Sequence, residues 1–277
     1  MDLIDTHQHL ILRGDLSYPW AEGAGLGDRD FTPKDYAALT AGRGVVGTIF
    51  METAVADDDY QTEARLVAGL IGTGGMLGQI ASCRPEEDAG FDDWLATCRG
   101  LGVVGFRRIL HTVDEAISTG KTFRANLRKI GAAGYPFDIC VLARQHALAE
   151  DLIRACPDQQ FILDHFGNPD IAGDGFDVWA DGLRRLAAFP NLAVKFSGIT
   201  VNARKDQVTV AALQPYADHL ITCFGPDRIL WGGDWPVCDL GSGLPGWIDL
   251  TQALLAGLEA GARHATGVSN ARRIYKV

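Results

Sequence analysis

The 277-residue chain lacks a C-x-x-C pair, a block of five or more like charges and a Gly-rich phosphate loop, and each absence removes a class of protein. Its six cysteines, at 83, 98, 140, 156, 223 and 238, are scattered through a chain too large to need a disulfide framework, which implies reduced thiols in a cytoplasm. A formal charge of -10 without basic clusters excludes a nucleic-acid surface and an anionic-membrane surface. GTGG at 72–75 and GSGLPG at 241–246 have neither the G-x-x-x-x-G-K-[ST] nor the G-x-G-x-x-G spacing, so no nucleotide cofactor is indicated. No basic stretch followed by an apolar one opens the chain, and the expectation is no secretory signal. Leu66–Cys83 is uncharged over 18 residues, the length of a membrane span, but its five glycines with Thr73, Gln79 and Ser82 suit a helix end, a turn and a buried strand.

Eight short apolar runs, each closing in polar or glycine residues, recur along the chain: LIDTH (3–7), VVGTIFM (45–51), MLGQIA (76–81), VVGFR (103–107), PFDICV (136–141), QFILDH (160–165), LAVKFSG (192–198) and RILWGGD (228–234). Helical segments separate them, among them one capped by Thr32-Pro33, and others at Tyr60–Leu70, Phe91–Arg99, Phe123–Ala133, Ala143–Cys156, Phe176–Phe189, Pro215–Phe224 and Leu250–Ala260. Strands alternating with helices pair in parallel through right-handed crossovers. Eight units predict a single-domain (β/α)8 TIM barrel over residues 1–277, with an open doubly wound sheet as the alternative.

Barrel chemistry sits at the C-terminal ends of the strands. There the chain places His7 and His9 on the first strand, Asp164 and His165 on the sixth and Asp234 on the eighth. Alternation points His7 and His9 to one face. With His165 and Asp234 they form an N3O set suited to one divalent ion, zinc by donor type, with manganese also accommodated. Taken alone, an H-x-H is more often a hydrogen-bonded pair. Ser197 lacks a G-x-S-x-G elbow, so a serine nucleophile is unsupported.

IDTHQH, GFRRIL, FILDHFGNPDI, LAVKFSGI, RILWGGDWPV and NARRIY, in that order, together resemble the amidohydrolase superfamily, and within it the sugar-lactonase-like branch that includes fuconolactonases, rhamnonolactonases and pyrone-dicarboxylate lactonases. The resemblance implies a hydrolase whose site is built from His7, His9, His165 and Asp234. Relatives often read G-S-D-W-P where this chain has Gly232-Gly233-Asp234-Trp235-Pro236. The fourth run ends in Arg107 and Arg108 rather than a bridging lysine or glutamate, which argues against two metals. Adjacent residues cannot both face inward, and the resemblance favours Arg107 as the substrate-facing one.

The reading that follows is hydrolysis of a sugar lactone, assisted by one divalent ion held by His7, His9, His165 and Asp234, with Asp234 and His165 as catalytic groups. Arg107, Lys195, His111 and Trp20 are the candidate substrate contacts; Lys195 serves equally as a structural pair. Glu52 and Gln79 are candidate supporting groups. The alternatives are a metal-independent pyrone-dicarboxylate type of lactonase and a metal-dependent non-oxidative decarboxylase on the same frame. The expected partner is a small cyclic ester, in a monomer or homo-oligomer; nucleic acid and membrane are not expected.

Overall fold

The computed structural model describes residues 1–14, 16–26 and 28–277. Eight strands, β1 (Leu3–Gln8), β2 (Val45–Met51), β3 (Met76–Ser82), β4 (Val103–Ile109), β5 (Phe137–Cys140), β6 (Phe161–Leu163), β7 (Leu192–Phe196) and β8 (Ile229–Trp231), run in sequence order in one sheet. Every neighbouring pair from β1·β2 to β7·β8 is parallel. The last strand returns to the first: Asp234 N donates to the His7 carbonyl at 2.9 Å, and His9 N to the Trp235 carbonyl at 2.8 Å. That closes a (β/α)8 barrel.

Two apolar clusters hold it. The larger joins the outer strand faces to the helices, through side chains such as Phe106, Phe137, Phe161 and Trp179. The smaller fills the lumen with Ile4, Ile49, Met51, Ile80, Ile162, Ala193 and Leu230, and Ile274 and Tyr275 of the last helix, Asn270–Tyr275, plug it from below. The opposite, C-terminal mouth is therefore the one left for polar groups.

Two helices depart from the sequence expectation. The helix expected from Pro215 begins at Val210, because the Thr209 side chain accepts from Ala212 N and starts it a turn and a half earlier, with Pro215 inside. The last long helix covers Gly243–Leu254 rather than 250–260; Pro245 falls in its first turn, where a missing N–H costs nothing. The uncharged 66–83 window divides into the end of the helix Tyr60–Ala68, a 3-10 turn at Thr73–Gly75 and β3. No helix among the described residues is long and apolar enough to cross a membrane.

Candidate active site

His7 reaches the lumen through an irregularity. Asp5 pairs with Thr48 and Gln8 with Phe50, so β1 spends three steps where β2 spends two. This bulge turns His7 onto the same inner face as Ile4, three residues before it, which strict alternation would forbid. Asp5 pins the bulge: its carboxylate accepts from His7 N at 2.8 Å, Gly233 N at 2.7 Å and the Tyr36 hydroxyl at 2.6 Å. Thus one buried acid ties the His7 segment to the loop that carries Asp234.

Above the apolar layer lies a layer of buried charge. Arg107 Nε donates to Glu52 Oε1 at 2.6 Å, Nη2 to the Glu52 carbonyl at 2.7 Å and Nη1 to Asp164 Oδ2 at 3.2 Å. Lys195 Nζ lies 2.5 Å from Asp138 Oδ1 and 3.2 Å from Asp164 Oδ1. Such groups are costly to desolvate and persist only when fully paired. Burial pushes the Glu52 and Asp164 carboxyls up, but Arg107 beside the first, and Lys195, His7 and Arg107 around the second, bring both below the ordinary range. Asp138 differs: burial outweighs Lys195 and holds it up at about 7. Arg107 faces inward, whereas Arg108 points away to Glu86 at 2.5 Å.

Lys195 does not reach the cavity wall as a substrate contact. It is fully buried beneath His7, with Nζ 3.3 Å from His7 Nδ1, because the cation at mid-barrel finds its partners on β5 and β6 rather than in the mouth.

At the mouth, His7 Nε2 and His9 Nε2 lie 3.7 and 3.6 Å from Asp234 Oδ1. His165 Nδ1 lies 4.0 Å from Asp234 Oδ2 and 3.0 Å from the Ser197 hydroxyl. Both His165 (φ 54°) and Asp234 (φ 56°) adopt left-handed backbone conformations, which non-glycine residues hold only when the surroundings impose them. Burial lowers the pKa of His7 and of His165, so both imidazoles are neutral at pH 7.

Of the four expected ligands, His7, His9 and Asp234 form one group, while His165 groups with His7 and with Asp164, which the expected set did not include. The first fits a divalent ion. His7 Nε2 and His9 Nε2, at 3.7 and 3.6 Å from Asp234 Oδ1, offer two nitrogens and one carboxylate oxygen, a donor set that suits zinc. His9 Nδ1 donates to the Met51 carbonyl at 3.0 Å, which leaves its Nε2 lone pair for the site. In the second, Asp164 is already committed to Arg107 and Lys195, so His165 stands apart as a separate group. Arg107 Nη1 lies 3.2 Å from His7 Nε2, so the guanidinium and an ion compete for one lone pair.

A cavity of about 280 Å³ opens over these groups, walled by His9, Trp20, Thr53, Arg107, His111, His165, Asn168, Asn202 and Asp234. Trp20 is fixed there by its indole N–H, which donates to the Thr53 carbonyl at 2.7 Å. His111 Nδ1 sits 3.4 Å from the Cys140 carbonyl, and burial lowers its pKa too. Asp138, Asp164 and Asp5 were the supporting acids that sequence reasoning passed over or left without a role. Their only signal is an acid inside an apolar run.

A family model described as amidohydrolase matches residues 4–277. The chain belongs to the amidohydrolase family. Among curated relatives, an L-fucono-1,5-lactonase of Burkholderia multivorans is 27% identical over 248 residues, covering 85% of this chain and 82% of that one. A second L-fucono-1,5-lactonase, of Burkholderia ambifaria, is 25% identical over 239 residues, covering 86% and 81%. A crystal structure of a Burkholderia multivorans amidohydrolase with bound zinc superposes with a TM-score of 0.90 at 24% identity over the whole of both chains, which shows the shared fold.

Proposed function

We propose that this amidohydrolase opens a neutral lactone, a sugar aldonolactone by class, to its hydroxy acid. The observation that carries the choice of substrate is the charge of the cavity. Its only lining guanidinium or ammonium among the described residues is Arg107, whose charge is already matched by Glu52 and Asp164, while Asp234 adds a carboxylate and His111 and His165 are kept neutral. Among these side chains a dicarboxylate would meet no spare positive charge and one negative charge, and an ion held by His7, His9 and Asp234 would already be shared with the Asp234 carboxylate. A ring bearing hydroxyls meets Thr53, Asn168 and Asn202, with Trp20 as an apolar wall. The lactonase relatives support the same class.

In this reading Asp234, at the cavity floor, takes a proton from water as its oxygen adds to the lactone carbonyl carbon. The oxyanion that forms is met by N–H donors from Arg107 and from neutral His165. Collapse breaks the bond from the carbonyl carbon to the ring oxygen, and Asp234 returns the proton to that oxygen. His7, His9 and Asp234 are the residues that would hold a divalent ion, zinc by donor type, which when bound supplies Lewis acidity to the carbonyl or to water.

The test is hydrolysis of a panel of aldonolactones, followed by acid release with a pH indicator, before and after chelation and with zinc or manganese restored. Turnover of at least one neutral lactone supports the reading. Loss on chelation with recovery on reconstitution assigns the ion a catalytic share, and turnover unchanged by chelation leaves the work to the protein's own donors. No turnover of any lactone removes the proposal.

A further inference from the structure

The closing NARRIY segment has no place in the chemistry above, although Tyr275 stands 2% exposed at the bottom of the barrel. Its ring enters beneath β4 where Gly105 leaves room: a Cβ there would lie 3.2 Å from Tyr275 Cε1. The ring's hydroxyl donates to Asp138, with both carboxylate oxygens in reach at 2.9 and 3.1 Å. Asp138 Oδ1 is 2.5 Å from Lys195 Nζ, which is 3.2 Å from Asp164 Oδ1 and 3.3 Å from His7 Nδ1. Asp164 Oδ1 itself lies 3.5 Å from His7 Nδ1. Five residues, all within 2% of full burial, thus link the last helix to the imidazole beside Asp234.

We infer that Tyr275 is a positioning residue for the reaction, acting through Asp138 and Lys195 to fix the orientation and proton placement of the His7 ring.

The position of Lys195 Nζ among its acceptors decides what His7 Nδ1 can do. A lysine ammonium has three N–H bonds and no acceptor. Those of Lys195 have three acceptors in reach: Asp138, Asp164 and His7 Nδ1. How they are shared decides whether His7 Nδ1 accepts from Lys195 or donates to Asp164, and hence whether Nε2 presents a proton or a lone pair to the mouth. Asp138 competes for the same ammonium, and the Tyr275 hydroxyl sets how strongly it does so. Removing that hydroxyl leaves Lys195 as the strong donor to Asp138 among the described residues and draws Nζ toward β5, away from Asp164 and His7.

The inference rests on His7 lying in the reactive site, and its test reads His7 directly so that it stands apart from the lactonase assignment. The ring nitrogens of His7 are followed by 15N NMR in histidine-labelled protein, comparing the wild type with Tyr275→Phe, and with Asp138→Asn as a second variant that keeps the side-chain shape should the first fail to fold. The expected result is displaced His7 ring signals with the fold retained. On any lactone the wild type hydrolyses, kcat is expected to fall roughly tenfold with KM within twofold, the pattern of a change felt in the transition state. His7 signals that stay in place in a folded variant overturn the inference whatever the rate. If the wild type hydrolyses no lactone, the functional proposal fails while the His7 signals still decide this one.

Discussion

Arg107 and Glu52 are paired inside the barrel at 2.6 Å, each side chain 3% exposed, and the same guanidinium forms part of the cavity wall. A single side chain therefore belongs both to the folded frame and to the site. Removing one partner of such a pair strands the other as a buried charge. Glu52→Gln keeps the shape and is expected to lower the unfolding free energy by about 3 kcal/mol or more. Urea unfolding midpoints check it; a change below about 1 kcal/mol would contradict the assignment.

Gly233 is where this chain departs from the G-S-D-W-P pattern of relatives, and the departure has a local reason. A Cβ there would lie 2.3 Å from Asp5 Oδ2 and 3.0 Å from Leu244 Cδ1, and Asp5 has no freedom to move while it holds Tyr36, His7 and Gly233 itself. Gly233→Ala is expected to cost roughly 1–3 kcal/mol as overpacking and to lower turnover by displacing both ends of the Asp5 clamp. Unaltered melting and kinetics would show that the clamp gives way freely.

One isosteric change isolates the carboxylate of Asp234. Asparagine accepts the left-handed backbone that Asp234 adopts, at φ 56°, so Asp234→Asn is expected to fold normally. It cannot shuttle a proton, and turnover is expected to fall by about 10³-fold or more. Near-normal turnover in the folded variant would remove Asp234 from the mechanism.

His146 is buried behind the site, where its Nε2 donates to the Gly167 carbonyl at 2.8 Å and its Nδ1 has no hydrogen-bond partner among the described residues. Burial lowers its pKa from the ordinary 6.5. The folded chain thus refuses a proton that the unfolded chain accepts. Its contribution is fully present above pH 6.5 and is lost as pH falls below it. Unfolding free energies measured at about pH 8 and 5.5 should show the wild type losing stability toward acid, and His146→Gln losing less. Equal losses in both would assign the acid sensitivity to other groups.

Much of this was legible from the residues. Each of the eight expected runs overlaps a strand, VVGTIFM with unchanged bounds, because parallel strands buried on both faces leave continuous apolar runs. The family was legible in the strand-end motifs. What the sequence hid was depth. LAVKFSG shows a lysine inside an apolar strand, but whether its ammonium reaches the mouth or pairs in the layer below depends on Asp138 and Asp164, which lie more than 30 positions away. Strict alternation placed His7 and His9 on one face and missed the bulge that sets His7 over Lys195. The Tyr275 contact was invisible for the same reason, since it joins the chain's end to β5 across the whole fold.

The proposal that the cavity takes a neutral lactone rests on Arg107, its one lining guanidinium among the described residues, having no charge to spare. Its most direct test is to compare kcat/KM for a neutral aldonolactone with that for 2-pyrone-4,6-dicarboxylate under the same conditions. The account predicts turnover of the neutral ring and none above background for the dicarboxylate. Preference for the dicarboxylate would contradict it.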